Sequence, residues 1–248
     1  MRRLIAFACE GETLLGTLDE ADGPTGLLIV SGGDEIRAGA HRGMAQLAAG
    51  LAAQGHPVFR FDRRGIGDST GENRGYVESG PDIQAAASCF RAKAPSLKHL
   101  VALGNCDAAT ALTMHAEAAG IDAMILTNPW LQASGPDGLL SAPAIRARYA
   151  ARLRNPRSWT RPPGFLKLLR GLRALFRKSP EPELARFCAS PRLPATIILA
   201  AQDPTAQVFR ATIRGTFTNI QTASHSFADA ADELEAAILS SLKRYSAA

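Results

Sequence analysis

Short, continuous apolar runs alternate along the chain with longer segments whose apolar residues recur at helical spacing, and this alternation limits the fold more than any other feature. One run, at 26–30, reads GLLIV and is followed by Ser-Gly-Gly, as expected for a strand buried on both faces. Further strands are predicted over 58–61, 99–103, 123–127 and 195–200, helices over 41–54, 82–92, 107–119 and 228–242, and a strand pair over 1–18. This order predicts an α/β fold with a mainly parallel central sheet and helices on both faces.

The alternation is interrupted by a segment, 131–190, that is rich in Pro and Arg. Between residues 138 and 180 the chain has eleven Lys and Arg residues and no Asp or Glu, whereas its net charge is only +5. The rest of the molecule is therefore net negative. Insertions after a strand in α/β folds often cover the ligand crevice at the carboxyl ends of the strands. We therefore predict a core formed by 1–130 and 191–248, with a basic helical cap over 131–190.

Residues 165–178 of the predicted cap read FLKLLRGLRALFRK, with apolar residues at helical spacing and basic residues opposite them. A basic amphipathic helix can lie on an anionic membrane surface. The alternative, which we favour, is a helix that packs its apolar stripe over the ligand crevice, where Phe165 and Leu169 would contact a hydrophobic part of the substrate. Nucleic-acid binding would need only the charge, but stacking aromatics are sparse here, so no nucleic-acid partner is predicted.

The cysteines and the apolar runs indicate in which cellular compartment the protein is expected. The four cysteines are Cys9, Cys89, Cys106 and Cys188. They form no CxxC pair, which predicts a reduced protein without a structural zinc, another metal or a cofactor. The first apolar run is too short and too polar for a secretory signal, and no run is long enough to span a bilayer. We expect a cytoplasmic protein, at the inner membrane if the cap binds lipid, and nothing in the sequence indicates an oligomeric state.

A strand-like run, a turn of small residues and a helix-like segment follow one another in LVALGNCDAATAL, residues 100–112. This pattern is typical of a nucleophile elbow, a strained strand-to-helix turn whose central side chain projects into the crevice. Crowding in the turn requires small residues two positions before and after the nucleophile. Gly104 and Ala108 meet that requirement around Cys106, although Ala108 stands where the common pattern has Gly. A lone cysteine is more often a small buried hydrophobe, so the assignment depends on its partners.

The partners of Cys106 are expected further along, because the chain order in such folds is nucleophile, acid and histidine. Only two histidines follow Cys106, and His115 falls on the predicted nucleophile helix, where it would point away from the crevice. The remaining one, His225, lies in a loop of small residues before the last helix. The acid is predicted at Asp203, directly after the last predicted strand, with Asp137 as the alternative.

Acyl transfer also needs hydrogen-bond donors for the developing oxyanion, and backbone N–H groups commonly supply them. One donor is predicted at Asp107, where the helix after the nucleophile begins and the helix dipole adds positive charge. The other is predicted at Gly33, in the turn after the first buried strand. Asp34, in the same turn, is a candidate for substrate contact. His41 and Arg42 could orient an anionic substrate group, although such a pair at a helix start is also common on solvated surface.

Several of these motifs resemble known proteins. Nearly the whole chain resembles the α/β-hydrolase superfamily, through SGG at 31–33, RFDRRGIGDS at 60–69, GNCDA at 104–108, Asp203 and His225, in the superfamily's order. More narrowly, GAHR at 39–42, RFDRRGIGDSTG and GNCDAAT resemble the exosortase A system-associated hydrolases of type 1, bacterial proteins found in gene sets for exopolysaccharide production and protein sorting. The resemblance implies a hydrolase and brings no established substrate. The cysteine makes the triad similar to that of dienelactone hydrolases, but the basic segment differs, so a lactone substrate does not follow.

These residues together predict an acyl hydrolase of the esterase or thioesterase type, with a Cys-His-Asp triad and a thioester acyl-enzyme. A thiolate leaves a tetrahedral intermediate readily, so activated esters, thioesters and lactones are favoured over amides. The expected substrate is a small-molecule or lipid-like acyl compound. Two alternatives stay open. One is an acyltransferase that passes the same acyl group to a hydroxyl, and the other is a non-catalytic module that binds a membrane or a partner through the basic cap.

Overall fold

The computed structural model describes residues 1–131 and 193–246. Their strands are β1 (Arg2–Cys9), β2 (Glu12–Asp19), β3 (Thr25–Val30), β4 (Val58–Phe61), β5 (His99–Asn105), β6 (Ala123–Thr127), β7 (Ala195–Ala200) and β8 (Thr218–Ile220). Their α-helices are α1 (Gly43–Ala53), α2 (Gly80–Lys93), α3 (Asp107–His115), α4 (Pro204–Thr212) and α5 (Ala231–Ser246). The strands form one sheet in the order β1-β2-β4-β3-β5-β6-β7-β8. Only the two pairings of β2 are antiparallel, so the predicted α/β fold with a mainly parallel sheet is confirmed.

Strand β3 shows why a continuous apolar run marks the centre of this sheet. All six of its residues are buried. Successive side chains of a strand point to opposite faces, so Leu28 and Val30 join the core on the face that α2 and α3 cover. Leu27 and Ile29 join the second core, on the face that α1 and α5 cover. A strand covered on both faces needs apolar residues at every position, which is the pattern that the sequence shows.

Helix α1 begins at Gly43, two residues later than the start predicted from periodicity. His41 and Arg42 have φ angles of 52° and 63°, in the left-handed region that residues other than glycine rarely adopt. They follow Gly39, whose φ is 76°. The chain therefore turns through this short left-handed stretch before the helix starts, and apolar spacing carries no information about that turn.

Helix α4 was not predicted from the sequence. It starts directly after Asp203, with Pro204 in its first turn, and buries Ala206, Val208 and Phe209. A helix of nine residues repeats its apolar stripe too few times for periodicity to reveal it. The Asp-Pro pair that looks like an ordinary turn in the sequence is thus the start of a helix, which changes the role of Asp203.

The predicted cap lies outside the described residues, apart from Leu131 at its start. The predicted basic helix, and with it Phe165 and Leu169, falls on this part of the chain, as does Asp137, the alternative acid. Among the helices that the structure does describe, none combines the length and the apolar character needed to cross a membrane.

Candidate active site

The predicted site residues follow neighbouring parallel strands of the sheet. Gly33 comes after β3, Cys106 after β5, Asp203 after β7 and His225 after β8. Because parallel strands end at the same edge of a sheet, these loops share the edge at which α/β proteins bind ligands.

Cys106 occupies a strained turn between β5 and α3. Its φ and ψ are 60° and −125°, a sparsely populated combination for a residue with a side chain. Backbone hydrogen bonds hold this conformation: Cys106 N–H donates to the Thr127 carbonyl at 3.0 Å, and the Cys106 carbonyl accepts from Trp130 N–H at 3.1 Å. The surroundings therefore impose the strained geometry that the elbow pattern predicts.

Gly104 is needed for close packing inside the elbow. A Cβ at this position would lie 2.7 Å from the carbonyl carbon and oxygen of Ala108 and 2.8 Å from the nitrogen of Ala109. These are backbone atoms of α3, which cannot move aside without disturbing the helix. Ala108 itself is fully buried. The need for small residues around Cys106 is thus a direct consequence of how closely β5 and α3 approach each other.

His225 lies between Asp203 and Cys106. Its Nδ1 is 3.0 Å from both carboxylate oxygens of Asp203, which is buried. A carboxylate can only accept, so Nδ1 carries the proton, and Nε2 is left for Cys106. The hydrogen bond to Asp203, and after it the hydrogen bond to the Cys106 side chain, raises the pKa of His225 from 6.5 to about 10. At neutral pH the ring is therefore an imidazolium.

Asp203 is held by the helix that sequence periodicity missed. It is the N-cap of α4, and its Oδ2 accepts a hydrogen bond from Thr205 N–H at 3.1 Å. The backbone N–H of Asp203 donates to the Ala200 carbonyl at 3.0 Å, which closes a tight turn after β7. The same carboxylate thus caps a helix and orients His225, so the conformation of the acid is set by secondary structure as well as by its partner.

The loop that presents His225 is closed by its own small polar residues. Thr222 Oγ1 donates to the Asp229 carboxylate and accepts from Ser224 N–H. The Thr222 carbonyl accepts from Gln202 N–H at 3.0 Å, which joins the histidine loop to the acid loop. These contacts explain why a loop of Thr, Ala and Ser residues presents the histidine in one conformation.

The two backbone N–H groups predicted to stabilise the oxyanion differ in their hydrogen bonding. Asp107 is the first residue of α3, where backbone N–H groups have no acceptor within the helix. Gly33 N–H, in contrast, donates to Asp107 Oδ1 at 2.7 Å. The sequence predicted Gly33 N–H as a donor to the oxyanion; in the structure the Asp107 side chain reaches across to the turn and takes this hydrogen bond. Gly33 could serve as an oxyanion donor only after the Asp107 carboxylate releases it.

The sequence reasoning missed Arg63, which lies beneath the same turn. The residue is 3% exposed and donates from Nη2 to the Gly33 carbonyl, while Nη1 has no hydrogen-bond partner within residues 1–131 and 193–246. Burying an arginine costs free energy unless its charge is paired or hydrogen-bonded. The signal in the sequence was the position of Arg63, directly after Asp62 at the end of a predicted strand. The guanidinium fixes the orientation of the Gly33–Asp34 peptide group.

Three of the five residues predicted to contact substrate lie in the described part of the chain, and they have different surroundings. The Asp34 carboxylate accepts a hydrogen bond from Asn73 Nδ2 at 2.8 Å. His41 is exposed and lines a groove between α1 and α5 together with Phe227, which lies two residues after His225. Arg42 is exposed beside it. Their roles in substrate binding stay predictions.

The described part of the chain contains no group of three or more His, Cys, Asp or Glu side chains that could hold a metal ion. The candidate site consists of Cys106, His225 and Asp203, with the His225 ring between the other two side chains. Such an arrangement is suited to proton transfer and covalent catalysis.

The sequence matches the model of a known protein family over most of its length. The family model described as serine aminopeptidase, S33, matches residues 27–239. No curated relative matches the chain.

Solved structures of hydrolases are similar over almost the whole chain. The α/β hydrolase GrgF from Penicillium sp. sh18 has 18% sequence identity and a TM-score of 0.65, with 100% of both chains covered. The Pyrococcus furiosus esterase Pf2001 has 17% identity and a TM-score of 0.63, covering 98% of this chain and 90% of its own. The thioesterase domain from the curacin biosynthetic pathway has 19% identity and a TM-score of 0.59, covering 96% and 99%. At such identities the likeness shows the fold alone.

Proposed function

The chain belongs to the serine aminopeptidase S33 family of α/β-hydrolases, and from this premise we propose that it is an acyl hydrolase that cleaves esters or thioesters through a cysteine nucleophile. The family is named for a serine, whereas Cys106 stands in the elbow of this chain. One observation carries the proposal: His225 is hydrogen-bonded to Asp203 at 3.0 Å, and its ring lies near enough to the side chain of the strained Cys106 for that side chain to affect the pKa of the ring. A buried structural cysteine has no need of an oriented imidazolium.

The first half-reaction forms a thioester. The Cys106 thiolate attacks the carbonyl carbon of the substrate, and the negative charge moves to the carbonyl oxygen, where Asp107 N–H and the N-terminus of α3 stabilise it. When the tetrahedral intermediate collapses, the bond to the leaving alcohol or thiol breaks. His225 Nε2–H protonates that leaving group, and the ring becomes neutral.

The second half-reaction releases the acid. Neutral His225 removes a proton from a water molecule, and the resulting hydroxide attacks the thioester carbonyl. Collapse of this second intermediate expels the Cys106 thiolate and leaves the carboxylic acid product. His225 keeps the proton, so the thiolate–imidazolium pair is restored. Asp203 accepts the hydrogen bond of His225 Nδ1–H throughout and stabilises the imidazolium form of the ring.

Hydrolysis of p-nitrophenyl acyl esters of increasing chain length tests the proposal. The wild type, Cys106→Ala and the matched control Cys89→Ala are compared, because Cys89 is a second free, partly exposed cysteine of the described chain. We expect turnover and an acyl adduct by intact mass in the wild type and in Cys89→Ala, and neither in Cys106→Ala. Full turnover in Cys106→Ala would refute the cysteine nucleophile.

An acyltransferase would use the same thioester. The chemistry up to the acyl-enzyme is shared, and only the acceptor differs. Product analysis in the presence of added alcohols, sugars and lipid hydroxyls separates the two functions. Free acid as the main product at high acceptor concentration supports the hydrolase, and an acylated acceptor supports the transferase.

The basic segment supports a proposal about where the substrate lies. Eleven positive charges without an acidic residue between 138 and 180 suit contact with an anionic lipid surface. The resemblance to exosortase A system-associated hydrolases adds a link to exopolysaccharide production. Co-sedimentation with anionic vesicles, compared with zwitterionic vesicles and at raised salt, tests the membrane contact. Equal binding to both vesicle types would contradict the electrostatic basis.

A further inference from the structure

Two asparagine side chains converge on the main-chain carbonyl of His225. Asn128 Nδ2 lies 3.0 Å from this carbonyl oxygen, and Asn105 Nδ2 lies 3.4 Å from it. Each amide is also held at its other end. Asn128 Oδ1 accepts from Ala200 N–H at 2.9 Å, and Asn105 Oδ1 accepts from Thr127 Oγ1 at 2.9 Å.

The partners determine which end of each amide faces the histidine. The His225 carbonyl can only accept, so the NH₂ group of each asparagine must point toward it. The Ala200 N–H can only donate, which requires the oxygen of Asn128 on the opposite side. Asn128 is fully buried and has a φ of 42°, a left-handed conformation that asparagine tolerates better than most residues. The hydrogen-bond partners of Asn128 therefore fix the orientation of its side-chain amide.

The network joins the three loops that carry the proposed triad. Asn105 directly precedes Cys106. Asn128 follows β6 and bonds Ala200, the last residue of β7, which itself accepts the hydrogen bond of Asp203 N–H. The His225 carbonyl is thus tied to the nucleophile loop on one side and to the acid loop on the other.

We infer that Asn105 and Asn128 are positioning residues that hold His225 in register with Cys106 and Asp203, an inference that rests on the function proposed above. Asp203 constrains the imidazole through Nδ1 only, and the His225 side chain is 39% exposed. Rotation or drift of the His225 backbone would carry the ring away from Cys106 even with Asp203 in place. Two donors on the carbonyl of the same residue prevent this motion.

The experiment compares Asn105→Ala and Asn128→Asp with the wild type. Asn128→Asp keeps an oxygen for Ala200 N–H but places a second oxygen against the His225 carbonyl. Asn105 is only half-buried, so Asn105→Ala decides the question if Asn128→Asp fails to fold. The matched control is Asn219→Asp, the same chemical change at an exposed residue of β8. The measurements are kcat and KM for a p-nitrophenyl ester and the pH profile of Cys106 alkylation by iodoacetamide.

We expect kcat to fall at least about 10-fold in both asparagine variants with KM little changed, since a misplacement of about 1 Å near the chemistry can cost on the order of 10²-fold in rate. Alkylation of Cys106 should shift toward alkaline pH, because the imidazolium no longer neighbours the sulfur. Asn219→Asp should match the wild type in both measurements.

Three results would overturn the inference: wild-type kcat and alkylation in both variants, a rise in KM with kcat unchanged, or lost stability with full activity. Failure of the proposed function looks different. In that case the wild type itself shows no turnover and no acyl adduct, while the alkylation profile still reports whether the asparagines hold His225 beside Cys106.

Discussion

Replacing Asp203 separates its two roles, because asparagine can fill one of them and alanine can fill neither. Asp203 caps α4 through a 3.1 Å hydrogen bond from Thr205 N–H, and it accepts from His225 Nδ1 at 3.0 Å. The amide side chain introduced by Asp203→Asn would still offer an oxygen to Thr205 N–H, since Asn and Asp are equally good N-caps. It offers no charge to the imidazolium.

The magnitudes follow from these contacts. Loss of a hydrogen bond to a charged group costs about 1.5–3 kcal/mol in both variants, and loss of the cap costs about a further 1 kcal/mol in Asp203→Ala alone. For a chain of this size the extra term lowers Tm by about 2–4 °C. The effect on kcat should be the same in both variants, on the order of 10²–10⁴, because each loses the group that holds the protonated His225 in orientation.

Ester hydrolysis and thermal unfolding of the same preparations measure both quantities. Asp22→Asn, the same change at an exposed loop residue, serves as the control and should leave both unchanged. If Asp203→Asn kept kcat within a few-fold of the wild type, Asp203 would not be the acid. If Asp203→Asn and Asp203→Ala unfolded at the same temperature, the capping argument would fail.

Three further predictions concern His225, Gly104 and Asp107. His225→Gln should lower the free energy of unfolding most below pH 6.5, and this loss should vanish as the pH rises through about 10, because contacts in the folded state raise the pKa of His225 from 6.5 to about 10. Urea unfolding across this pH range measures the loss. A loss that grew with pH would contradict the prediction. Gly104→Ala should destabilise the protein by about 1–3 kcal/mol, because its Cβ would lie 2.7 Å from the Ala108 backbone; an unchanged Tm would show that the elbow can relax. Asp107→Ala should raise kcat, because it frees the Gly33 N–H. It should also lower the free energy of unfolding by about 0.3–1 kcal/mol, because a negative charge is lost at a helix N-terminus. A lower kcat in a folded variant would mean that the carboxylate assists the reaction.

Much of the sheet could be predicted from local pattern. Strands β4, β6 and β7 begin and end at the residues predicted from their mainly apolar runs, because strands covered on both faces are built mostly from apolar residues. The elbow was predictable for a similar reason, since crowding between β5 and α3 leaves room only for Gly104 and Ala108 around the nucleophile. His225 was chosen from its order after Cys106 and from its loop position, and Asp203 because it follows the last predicted strand, with Asp137 as the alternative.

Other features depend on contacts between residues far apart in the chain. Gly33 and Asp107 are 74 residues apart, and Asn105 and His225 are 120 apart. No property of either segment alone indicates that a carboxylate will take the Gly33 N–H or that two amides will meet at one carbonyl. The start of α1 and the presence of α4 likewise escaped the pattern, since left-handed residues and a short capped helix leave little trace in apolar spacing.

The sequence by itself therefore determined the layers of the fold, the elbow and the identity of the residues that could react, because hydrophobic periodicity and side-chain volume act over a few neighbouring positions. The tertiary structure decided which backbone donors are free, which carboxylate caps a helix while it orients the histidine, and which side chains hold that histidine in place. Those properties arise only when the strand order β5-β6-β7-β8 brings separate loops to one edge of the sheet, where hydrogen-bond donors and acceptors from distant segments must satisfy one another.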